Sequence, residues 1–167
     1  MTDEWNAEVA ERVLAACRAN HLMIATAESC TGGLVAAALT DIAGASDVVD
    51  RGFVTYSDAA KTAMLDVPES ILARDGAVSA ATAEAMAQGA LANSAAHIAV
   101  AITGIAGPGG GSAEKPVGLV HLFAAARDGR KVHREKHYGD IGRGAVRMRS
   151  VAEALAMLEL LASGAHI

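Results

Sequence analysis

An apolar run breaks at Thr26-Ala27-Glu28-Ser29-Cys30-Thr31-Gly32-Gly33 into hydroxyl and thiol side chains and paired glycines, after which an apolar helical pattern resumes. In an α/β protein, ligands gather at the carboxyl ends of strands, where the next helix aims its unpaired backbone N–H groups. Ser29 in such a turn is a candidate nucleophile, with the N–H groups of Cys30 and Thr31 as candidate oxyanion donors. Its ordinary role would be to satisfy an orphan N–H at the helix start. Cys30 is the rival nucleophile, because a thiol near a helix N-terminus can have a lowered pKa.

A serine needs a base. None of the six histidines lies in an obvious partner motif, and His133 and His137 sit on an apparent strand, where four residues span about 13 Å. That spacing makes them poor joint metal ligands. Lys61 is the better candidate, because it falls in the first turn of an expected helix, where the positive end of the dipole disfavours an ammonium. Tyr56, just before that helix, could relay a proton or hold substrate; its ordinary role is packing with a wet hydroxyl.

A second loop, Gly104 to Pro116, contains Gly107-Pro108-Gly109-Gly110-Gly111-Ser112 and suits close approach of backbone to a phosphate or sugar. Its glycines fit neither the P-loop nor Gly-x-Gly-x-x-Gly, and a plain surface loop would read the same way. Arg143 and Arg147 are four apart at the start of the last helical segment and could together clamp a phosphate. Cations there oppose the helix dipole, which argues for work beyond structure.

These groups need a scaffold. At 167 residues the chain suits one domain burying roughly 70% of its unfolded surface. With 52% hydrophobic but 3% aromatic residues, the core must be built from Ala, Val, Leu, Ile and Met. A net charge of −5 argues against a nucleic-acid partner. Cys17 and Cys30 form no CxxC pair or disulfide framework, as suits a reducing compartment. No apolar run approaches a membrane span, and Thr2-Asp3-Glu4-Trp5-Asn6 does not resemble a signal peptide. These features imply a cytoplasmic, soluble protein, and the Ala-rich surfaces permit a homo-oligomer.

Val9, Val13, Leu14 and Cys17 predict a first helix over Asn6 to Asn20. A strand over His21 to Ala27 follows, then a helix to Thr40, a strand over Gly52 to Tyr56, and a helix capped by Ser57 or Asp58 to Leu65. A connection runs through Pro68. Ser79 caps an alanine-rich helix to about Ser94, and His97 to Thr103 reads as a central buried strand. A strand from Val117 to Ala126, a hairpin at Asp128-Gly129 and a strand to Tyr138 lead to a last helix over Gly144 to Ala162. That order implies a three-layer α/β/α sandwich with a mixed, mostly parallel sheet and one antiparallel pair.

Five ordered motifs together resemble the CinA C-terminal domain family of competence/damage-inducible proteins. They are the Thr26 to Gly33 turn, Arg51-Gly52-Phe53-Val54-Thr55-Tyr56-Ser57 with Lys61, Gly76-Ala77-Val78-Ser79, Thr103-Gly104-Ile105-Ala106-Gly107-Pro108, and Lys115-Pro116-Val117-Gly118. The resemblance covers nearly the whole chain. It implies the same sandwich and the nicotinamide mononucleotide deamidase activity of characterised members, with Ser29 as nucleophile, Lys61 and Tyr56 as its partners, and no metal or cofactor. Cys30, Thr31, Gly32, Thr103, Gly104 and Gly107 would then contact the nucleotide, with Arg143 and Arg147 on its phosphate.

The family often has Gly-Asp-Arg before the last helix where this chain has Gly139-Asp140-Ile141-Gly142-Arg143, so either arginine could fill the family's position. Many members carry this domain behind a molybdopterin-binding-like one, for which 167 residues leave no room. The chain therefore resembles the stand-alone form. The competing expectation is a nucleotide-binding or interaction module that kept the fold and lost catalysis.

Overall fold

The computed structural model describes residues 4–164; Thr2 and Asp3, part of the segment read as no signal peptide, lie outside them. Eleven regular elements follow in order: α1 Glu4–Ala19, β1 Ile24–Glu28, α2 Leu34–Thr40, β2 Val49–Val54, α3 Asp58–Leu65, α4 Glu69–Asp75, α5 Ala80–Ala92, β3 Ile98–Gly104, β4 Leu119–Ala126, β5 Lys131–His137 and α6 Arg143–Ala162. A short 3-10 turn, Ala45–Asp47, precedes β2.

The sheet order is β2-β1-β3-β4-β5. β1 pairs in parallel with β2 and β3, and β4 is antiparallel to both β3 and β5. Four strands thus share one direction and β4 alone is reversed, which gives two antiparallel pairings rather than the single pair expected. The cause is the 14-residue, helix-free stretch 105–118 between β3 and β4: it returns the chain beside β3 at the same end of the sheet, so β4 must run backwards.

Sequence alternation on β3 explains the layers. Ile98, Val100 and Ile102 point into a core with Val13 and Leu14 of α1 and Leu155 and Leu158 of α6, while Ala99 and Ala101 face Ala83, Met86, Ala87 and Ala90 of α5. Each fully buried Leu, Ile or Val on the first side contributes roughly 1.5–3 kcal/mol of hydrophobic stabilisation. On the second side small residues let the helix lie close. Gly89 is the extreme case: a Cβ there would stand 1.9 Å from the Leu65 carbonyl oxygen of α3. Cys17 is fully buried, as its helical spacing implied.

Caps set several boundaries. Ser57 Oγ accepts from Ala60 N at 3.0 Å and Ser79 Oγ from Thr82 N at 3.1 Å, which fixes the starts of α3 and α5. α4 is one helix more than the sequence implied; it follows Pro68 and buries none of its residues, so it leaves no apolar period to read. β2 begins at Val49 and ends at Val54, so Tyr56 lies beyond the strand. Val117 and Gly118 likewise precede β4, where Gly118 N donates to Ile105 O instead. Among the described residues, no helix is long and apolar enough to cross a membrane.

Candidate active site

The carboxyl ends of β1, β2 and β3 meet at Ser29. Its N–H donates to Ile102 O of β3 at 2.9 Å, and Thr55 N donates to Glu28 O at 2.9 Å. The chain then turns sharply: Gly32 and Gly33 adopt φ of +59° and +102°, values that an L side chain resists and that bring the start of α2 beneath the turn.

Lys61 projects from α3 to the same point. Its Nζ lies 3.1 Å from Ser29 Oγ and donates to Thr55 O at 3.0 Å. The side chain is 1% exposed, and burial is what pushes the ammonium below the ordinary lysine range; Asp58 and Cys30 pull weakly the other way. The direction matches the expectation from sequence, with desolvation as its main cause.

Tyr56 is 61% exposed and receives a hydrogen bond at its hydroxyl from Arg143 Nη2 at 2.9 Å, while Arg143 Nη1 donates to Gly107 O at 3.1 Å. Arg143 therefore ties the end of β2 to the glycine loop after β3. Thr103, 1% exposed, donates its hydroxyl to Ala77 O at 2.7 Å and so fixes the segment between α4 and α5 against the site.

Seven of the eleven residues singled out from sequence line one cavity of about 200 Å³: Ser29, Cys30, Tyr56, Lys61, Thr103, Gly104 and Arg143. Asp58, Ala77, Val78 and Ala106 complete its wall. Asp58 entered the sequence reading only as an alternative cap; its position one turn before Lys61 was the available signal. Thr31, Gly32, Gly107 and Arg147 do not line the cavity. Arg147 instead donates Nε–H to Cys30 O at 3.1 Å and Nη2–H to Thr31 O at 3.2 Å.

One reading changes. The Cys30 thiol is 6% exposed and pushed up to about 11 by burial, so the turn does not generate a thiolate. His121 stacks on His133 with Nδ1 and Nε2 3.1 Å apart, across the β4–β5 ladder, and neither ring lines the Ser29 cavity. No group of three or more His, Cys, Asp or Glu suited to a metal ion occurs among the described residues.

A buried lysine against a serine at a strand-to-helix turn is the arrangement that the five motifs implied. The sequence profile of the CinA C-terminal domain matches residues 6–162. The chain belongs to the CinA C-terminal domain family. Nicotinamide-nucleotide amidohydrolase PncC of Escherichia coli is 50% identical, over 95% of both chains. A CinA-like protein of Akkermansia muciniphila is 61% identical over 65% of this chain, but that match spans only 26% of the relative, so the CinA domain also occurs within much longer proteins. The crystal structure of the competence/damage inducible protein CihA from Agrobacterium tumefaciens superposes with a TM-score of 0.95 at 56% identity, covering 96% of this chain and 98% of that one.

Proposed function

We propose that this chain hydrolyses the carboxamide of nicotinamide mononucleotide to nicotinic acid mononucleotide and ammonia. The observation that carries the reading is the 3.1 Å contact between buried Lys61 and Ser29, in a chain half identical to a nicotinamide-nucleotide amidohydrolase along nearly its full length.

With its ammonium destabilised, Lys61 loses a proton and its lone pair accepts the Ser29 hydroxyl hydrogen. Ser29 Oγ then attacks the carboxamide carbon, and the carbonyl oxygen becomes an oxyanion facing the turn's backbone N–H groups. Lys61 returns the proton to the departing nitrogen, which leaves as ammonia. Water, deprotonated by the same amine, attacks the Ser29 ester; Lys61 passes that proton to the departing Ser29 Oγ and the carboxylic acid is released.

The cavity lies below the ~300 Å³ at which drug-sized pockets begin, so it takes the pyridine ring and leaves the ribose phosphate at the rim. Arg143 and the Gly104–Gly111 loop stand at that rim, where Arg143 would meet the phosphate. Of the two arginines, Arg143 is thus the substrate-binding one, since Arg147 is committed to backbone carbonyls. Both cysteines are free thiols, as the cytoplasmic setting we assign requires.

The rim supplies binding energy that free nicotinamide cannot recruit. Steady-state assays on both compounds test this: nicotinamide is expected to be turned over far more slowly than its mononucleotide. Comparable kcat/KM values would refute the division between ring cavity and phosphate rim.

A further inference from the structure

Every peptide plane of the Ser29 turn is held by a partner. The Glu28–Ser29 peptide is fixed on both sides, its carbonyl by Thr55 N and its N–H by Ile102 O. The Ser29 carbonyl accepts from Gly32 N at 3.0 Å. The next two carbonyls are served by Arg147, whose Nε–H and Nη2–H fork over Cys30 O and Thr31 O. Glu28, fully buried, takes the other end: its Oε1 accepts from Val35 N at 2.9 Å and its Oε2 from Ala36 N at 3.0 Å, the first-turn N–H groups of α2. Thr26 Oγ1 donates to the same Oε2 at 3.3 Å.

In a trans peptide the C=O and N–H point to opposite sides of the C–N bond. Holding the Cys30 carbonyl therefore fixes the direction of the Thr31 N–H, and the Gly32-to-Ser29 bond does the same for the Cys30 N–H. The Thr31 N–H has no acceptor among the described residues. Thr31 is fully buried and lines no part of the cavity, so the grip of Arg147 acts on the turn that carries Ser29.

We propose that Arg147 and Glu28 are positioning residues for Ser29: Arg147 holds the two peptides that follow it by gripping the Cys30 and Thr31 carbonyls, and Glu28 anchors the turn to α2. Neither side chain lines the cavity or reaches the reacting atoms. The proposal rests on the reading of Ser29 as nucleophile. A lysine cannot replace the fork, because its ammonium is a point donor whereas two adjacent carbonyls require the planar guanidinium. Glu28→Gln turns one acceptor into a donor facing a helix N–H.

The test uses the full chain with Arg147→Lys, Arg147→Met and Glu28→Gln. Ammonia release from nicotinamide mononucleotide gives kcat and KM, a fluorophosphonate probe gives the labelling rate of Ser29, and circular dichroism gives fold and Tm. Misplacing Ser29 against Lys61 should cost about 10–100-fold in kcat with KM held within about twofold. Ser29 labelling should slow in step.

A lowered Tm with kcat and labelling unchanged would make the pair merely structural and overturn the proposal. So would a raised KM at constant kcat, which would return Arg147 to substrate binding. If Glu28→Gln does not fold, half-buried Arg147 decides the matter through its lysine variant. A wild type that is labelled but releases no ammonia refutes the nucleotide reading, while the labelling rates still decide the positioning claim. A wild type neither labelled nor active overturns both.

Discussion

Lys61 Nζ stands 3.1 Å from Ser29 Oγ with only 1% of the lysine exposed. The same burial that disfavours the ammonium makes the amine a usable base, so activity and stability are linked through one proton. In the proposed mechanism the neutral amine is the active form, so kcat/KM should rise with pH through an apparent pKa below the ordinary lysine value of about 10.4. Lys61→Met should lower kcat by about 10²–10⁴ and abolish that limb of the profile.

Stability should follow the same proton with a definite sign. The folded pKa of Lys61 is lowered by desolvation, so between that value and the unfolded one the unfolded chain binds more protons and stability rises with pH. Below the folded pKa the full cost of burying the charge is present. Chemical denaturation of wild type and Lys61→Met across alkaline pH should show this slope in the wild type and its loss in the variant.

Cys30 should be dispensable as a nucleophile. With its thiol pushed up to about 11, little thiolate exists at neutral pH, and Cys30→Ala should retain kcat within about tenfold while alkylation of Cys30 stays slow. Inactivation by Cys30→Ala with activity intact in Ser29→Ala would exchange their roles.

Arg143 should act on binding. It meets Tyr56 and Gly107 at the rim rather than Ser29, and a charge-assisted hydrogen bond to phosphate is worth roughly 1.5–3 kcal/mol, or about 10–100-fold. Arg143→Met should raise KM for the mononucleotide by that factor and leave the slower turnover of nicotinamide unchanged. A kcat effect of equal size on both compounds would place Arg143 in the chemistry instead.

Gly89 offers a test of how the scaffold sets the base. α5 meets α3 at Leu65, one helical turn beyond Lys61, and a Cβ at position 89 would strike the Leu65 carbonyl. Gly89→Ala should cost about 1–3 kcal/mol of stability by overpacking. It should also reduce kcat by displacing α3, measured at a temperature where the variant remains folded.

What the sequence made legible was local. Ser57 and Ser79 announce their helices because a cap is a contact three residues long, and Asp128-Gly129 announces its hairpin for a similar reason. The cavity's members could be named because they fall at strand ends, where this architecture gathers them. The second pairing of β4, the helix after Pro68 and the His121–His133 stack depend on strand order and on surface that carries no period. Arg147 is the clearest case: its spacing from Arg143 suggested a shared ligand, but each guanidinium finds different carbonyls, 36 and 117 residues away in sequence. Glu28 was likewise hidden, since its partners lie seven and eight residues on, past the reach of a local capping box.

The most direct measurement is ammonia release from nicotinamide mononucleotide by the purified chain, with chelator present and Ser29→Ala assayed beside it. The account predicts release by the wild type and none above background by the variant. Equal release by both would remove Ser29 from the mechanism. No release by a wild type that still binds the nucleotide would contradict the enzymatic reading and leave a binding module with the same fold.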